Sequence, residues 1–234
     1  MLLGMAAEAP VTAAPPQSAV SADSAVGHAG ELLPAIELHY PDEYRRLIDA
    51  LGRDPAGGDA AAENERVRLM ADFFQGRAAG LRNAPPDLLV RLNAMQLALI
   101  RRLAREDVGL CADFATTAFV GRLDLPDAYQ RDASSLGALI IEAAKLGEGR
   151  AGEEQGGALA ENDAFIWYSQ LLREEPSTEF NVAATRAGAE AEGDELECRV
   201  GLASLGALAR LPPEQAANVG ASLLAQILAE PGPN

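Results

Sequence analysis

The sequence predicts an all-α protein of about eight helices, in a single bundle or a short helical array, behind an N-terminal segment rich in alanine and proline. Three observations carry this. Apolar residues recur at helical spacing through most of the chain after residue 40. Four of these repeats open on a proline followed by an acid, at Pro41-Asp42, Pro86-Asp87, Pro126-Asp127 and Pro213-Glu214. Proline suits the first helical turn, and the acid suits the positive end of the helix dipole. Only one short extended stretch stands out, Thr178 to Val182, and no second strand is there to pair with it.

Residues 1–30 form an apolar start followed by a linker. From Glu8 to about Gly30 there is little charge and no period of 2 or 3.6, the pattern of a disordered segment. Residues 31–234 form the helical domain. Its first helix opens at Pro41, carries Tyr44, Leu47, Ile48 and Leu51 on one face, and stops at Gly52. The second runs from about Ala60 to Ala79 with Val67, Met70, Phe73 and Phe74 inward. The third starts at Pro85-Pro86-Asp87; Leu88, Leu89, Leu92, Met95, Leu99, Ile100 and Leu103 give it a wide apolar face, so it is central. A fourth begins at Glu106-Asp107, holds Val108, Cys111, Phe114 and Phe119, and ends near Gly121. The fifth, from Pro126, carries Leu136, Leu139, Ile140 and Leu146, and Gly147 to Gly157 follows as a loop. The sixth, Leu159 to Glu174, offers Phe165, Ile166, Tyr168, Leu171 and Leu172 for burial. The seventh runs from about Asp194 to Arg210, and the eighth from Pro212 to before Pro231.

An internal similarity divides this domain into two four-helix halves, about 41–125 and 126–230. Pro41, Asp42, Tyr44 and Arg46 match Pro126, Asp127, Tyr129 and Arg131, and Leu51-Gly52 matches Leu136-Gly137. Cys111 and Cys198 fall at nearly equivalent places. This pattern fits a duplication or an array of helix pairs; it also fits generic helix starts and stops.

Apolar residues make up 48% of the chain but much of that is alanine, and aromatics are only 5%, so the core should be thin and rest on leucine. The net charge of -16 argues against nucleic acid and against anionic lipid as main partners. Arg66 to Arg105 is basic, and Glu148 to Glu197 is acidic. These are two solvated faces, a basic helix pair docked on the acidic part, or a polar contact surface.

Cys111 and Cys198 can form one disulfide in an oxidising compartment, worth roughly 2–4 kcal/mol, or serve as small core residues in a reducing one. The start, MLLGMAAEAP, resembles the tail of a signal peptide or a truncated membrane anchor. The expected location is periplasmic or secreted, with the cytoplasm as the alternative, and any membrane contact would run through that N-terminal anchor.

Catalytic signatures are sparse. His28 lies in the linker and His39 beside Tyr40, and neither has a ligand-spaced partner. A nucleophile pair would need Cys111 or Cys198 near His39. No nucleotide-binding loop or metal motif occurs, so neither cofactor nor metal is expected. Carboxylates remain: Glu161 and Asp163 open the sixth helix just before Phe165, Trp167 and Tyr168, an arrangement that can make a sugar site. The same acids also suit a helix start, and the same aromatics an ordinary core. The leading expectation is an exported, non-catalytic helical protein that binds another protein or scaffolds an envelope assembly. The alternatives are a carboxylate-dependent envelope hydrolase and a secreted effector-type protein.

Overall fold

A computed structural model describes residues 30–52, 59–119, 125–150, 161–174 and 190–229. Among them it places ten α-helices and no strand: α1 (Leu32–His39), α2 (Pro41–Leu51), α3 (Asp59–Gln75), α4 (Ala78–Leu81), α5 (Pro86–Glu106), α6 (Val108–Thr117), α7 (Asp127–Glu148), α8 (Glu161–Glu174), α9 (Glu190–Leu208) and α10 (Pro213–Ala229). The all-α expectation holds. The apolar start, the linker, the Thr178–Val182 stretch and residues 151–157 of the glycine loop lie outside the described residues.

Two helices exceed the expected eight, and both have a physical cause. α1 has no acid in its first turn, and its cap comes from elsewhere: Ser134 Oγ, on α7, accepts the buried Leu32 N–H at 3.0 Å. His39 is therefore the last residue of α1 rather than a residue before the first helix. The expected second helix is broken at Gly76-Arg77, so that α3 ends at Gln75 and α4 is a separate turn. Boundaries shift elsewhere as well. α7 runs on through Gly147 and Glu148, and α9 begins at Glu190. α6 stops at Thr117 because Ala118 and Phe119 take left-handed φ angles of 52° and 57°. That conformation costs a non-glycine residue energy. Burial of the Phe119 ring, edge-on to Phe114 at 5.0 Å, offsets it.

α5 is central, as its wide apolar face predicts. Leu89, Leu92, Leu99, Ile100 and Leu103 are buried, and α6, α7, α9 and α10 pack around them. α7 in turn carries α1 and α4. One core cluster draws on residues from both halves of the chain, and a smaller one gathers Leu208, Leu211, Ala216 and Val219.

Small residues set the helix spacing. A Cβ at Gly147 would overlap the Gly80 carbonyl, so α4 lies directly on the backbone of α7. A Cβ at Gly201 would overlap that of Ala115 and meet Ile100 Cδ1 at 3.0 Å. The abundant alanine and glycine thus do more than thin the core: they let helix backbones approach closely. Van der Waals contact between backbones then replaces the area that large side chains would bury.

Polar pins hold the outer helices. Tyr40, between α1 and α2, is buried and donates its hydroxyl to Glu148 Oε1 at 2.9 Å. The Arg77 guanidinium lies over the Tyr40 ring at 4.3 Å and the Phe73 ring at 4.6 Å, and pairs with Glu43 at 3.2 Å. Burial first, then the hydrogen bond to Glu148, pushes the Tyr40 phenol well above its ordinary range. A second pin joins α5 to α7: Tyr129 donates to Glu106 Oε2 at 3.0 Å, under Arg102, which also pairs with Asp132 at 3.0 Å.

Candidate functional site

The two acids singled out from sequence, Glu161 and Asp163, fall in the first turn of α8, the positive end of its dipole. Asp163 is half-buried; the Glu161 side chain lies outside the described residues. The aromatics beside them divide between the two sides of the helix. Trp167 turns inward, donates Nε1–H to the Ser204 carbonyl at 3.3 Å, and packs with Ile166 on the Leu208–Val219 cluster. Phe165 and Tyr168 face out, 69% and 38% exposed. This corrects the expectation that both are core. The helical period alone does not say which side of a helix rich in aromatics meets the protein. The apolar faces expected of the fourth and fifth helices also end early: Val108 and Leu146 are exposed.

Cys111 and Cys198 are both buried and lie at bonding distance, S–S 2.02 Å with their Cα atoms 5.0 Å apart. Once bonded, neither sulfur is available as a nucleophile for His39. The bond fastens α6 to α9. Cys111 faces Cys198 and Ala115 faces Gly201, so the two helices run in the same direction. Near the bond, burial first and the Asp194 carboxylate second push the Glu197 carboxyl above its ordinary range.

One turn beyond the disulfide Ala115 and Gly201 are in close contact, and a pocket lies beside them. α5, α6, α9 and α10 enclose a partly open pocket of roughly 60 Å³. Ile100, Phe114, Leu205, Leu224 and Ile227 make most of its wall. Gly201 and Gly220 also line it, and Ala115 and Asn93 pack into the space that their missing side chains leave. Two polar residues reach it, Ser204 and Gln96.

Gln96 is the unusual member. It is 6% exposed, in the middle of the central helix. Asn93, one turn earlier, is equally buried but satisfied: its Nδ2–H donates to the Ala216 carbonyl at 2.8 Å, in the space that Gly220 leaves. Among the described residues nothing hydrogen-bonds the Gln96 amide. Its amide nitrogen and oxygen are not sealed in, since among the described residues the buried side-chain atom left without a hydrogen bond is Arg77 Nε; the Gln96 amide opens onto the pocket. Sequence reasoning missed this residue. Gln96 falls on the same face as Leu92, Leu99 and Leu103, so the pattern held a signal, a polar residue within an apolar stripe. The pattern could not show that its partner is missing.

Among the described residues, no group of three or more His, Cys, Asp or Glu is arranged to hold a metal ion, and no helix is long and apolar enough to cross a membrane. Comparison with known protein families, with curated proteins and with solved structures finds no match for this chain.

Proposed function

We propose that this chain is an exported, non-catalytic helical protein that works by binding another protein. The observation that carries the reading is the buried Cys111–Cys198 pair, at bonding distance between two helices in backbone contact. Disulfides form and persist chiefly in oxidising compartments. The outward-facing Phe165 and Tyr168 add support for a contact surface, since aromatic residues are enriched at protein interfaces.

Two measurements test the two parts. Thiol alkylation before and after reduction, with mass spectrometry on fractionated cells, should find the Cys111–Cys198 cystine intact in the periplasmic or extracellular fraction. Both thiols free, in protein confined to the cytosol, would remove the export part. A photocrosslinking residue at position 165 should yield a discrete adduct with one protein, and one at Arg131, exposed on α7, should not. Equal labelling from both positions would count against a specific surface.

A further inference from the structure

The unpaired amide of Gln96 and the room in front of it call for an occupant. The pocket volume of roughly 60 Å³ is about twice the share of liquid volume that one water takes. It therefore admits two waters, or an aliphatic tip of about three carbons. Its wall is chiefly hydrocarbon, which favours the aliphatic group over water. The Gln96 side chain offers two N–H donors and one carbonyl acceptor, and a second amide answers one of the donors and the acceptor together.

We propose that this pocket binds a peptide-type amide. A valine-sized side chain fills the apolar part, and its main-chain amide hydrogen-bonds the side-chain amide of Gln96. The ligand is a segment of polypeptide, so the inference rests on the protein-binding reading above and gives that reading a second, separate contact. Gly201 and Gly220 line the pocket where Ala115 and Asn93 pack against them, so their backbone signals report its occupancy.

The test reads the Gln96 side-chain NH2 signals by nuclear magnetic resonance in the full chain. The probe is N-acetyl-L-valine amide; the N-acetyl amides of aspartate and tryptophan are comparators, one charged and one too large. The valine probe should shift the Gln96 signals saturably, with a Kd in roughly the millimolar range for so small a ligand. The two comparators should bind at least about tenfold more weakly, equivalent to 1.4 kcal/mol. Gln96→Met should weaken the valine probe about fivefold or more, followed through backbone signals of Gly201 and Gly220. Leu223→Ala, on the pocket wall, should move the preference from the valine toward the leucine amide, and it reports even if Gln96→Met does not fold. No shift with any probe, which leaves a pocket for solvent only, overturns the proposal. So does an equal shift with all three. A specific adduct at position 165 alongside silent amide probes would sink this site and leave the protein-binding reading standing. Saturable amide binding without any adduct would do the reverse for the α8 surface.

Discussion

At Gly201 a single missing side chain decides how closely two helices approach. Gly201→Val would drive its Cβ into Ala115, whose Cβ is fixed to its backbone and cannot yield cheaply. Overpacking of this kind costs about 1–3 kcal/mol, and urea unfolding should place this substitution in the upper half of that range. Tyr40 makes a different prediction, in pH. Its folded-state pKa is raised above the ordinary 10.0, chiefly by burial. The neutral phenol therefore contributes stability that is fully present below pH 10 and falls away as pH rises above it. Tyr40→Phe should lose about 1 kcal/mol at neutral pH, the worth of a hydrogen bond to half-exposed Glu148. Above pH 10 its stability should fall less steeply than that of the parent. A steeper or identical alkaline fall would show that Tyr40 is not the group responsible. Neither residue's role was legible in the sequence. Gly201 reads there as a weak spot in a helix, and Tyr40 as a neighbour of His39, because what each touches lies far along the chain.

Among the helices, legibility followed the locality of the signal. Helices that begin on proline and an acid, α2, α5, α7 and α10, were placed to within a residue or two, because the first turn is stabilised by its own residues. α1 was missed because its cap is supplied across 102 residues by Ser134. Ser134→Ala removes that acceptor and leaves the Leu32 N–H buried without it. The expected loss is about 1 kcal/mol. Hydrogen exchange should show faster opening in α1 first, with α5 unchanged; uniform acceleration would mean that Ser134 supports the whole core rather than this one helix. α8 was placed correctly, but its faces were not: its aromatic run offers more apolar surface than one neighbour can cover, and only packing selects Trp167 over Phe165 and Tyr168.

For the molecule as a whole the cystine is the one covalent cross-link, joining positions 87 residues apart. In the chain-entropy account, closing a loop of that length restricts the unfolded chain by about 4–5 kcal/mol. A Cys111→Ala/Cys198→Ala variant should lose a similar amount in denaturant unfolding. Reductant should bring the parent toward the variant and leave the variant unchanged; equal stability of oxidised parent and variant would show that close helix packing alone holds α6 to α9.

The sequence by itself determined the all-helical class, the central place of α5 and the start of most helices. These follow from period, proline and charge within a few residues of one another, and such interactions survive in any fold. It also supplied two cysteines without saying whether they meet. Only the tertiary structure decided that they do. It also decided which aromatics face outward, and that Gln96 lies buried, without a hydrogen bond, before an open pocket. Each of these depends on what a distant helix brings to the same point in space, and a one-dimensional pattern of apolar and polar residues does not encode that distance.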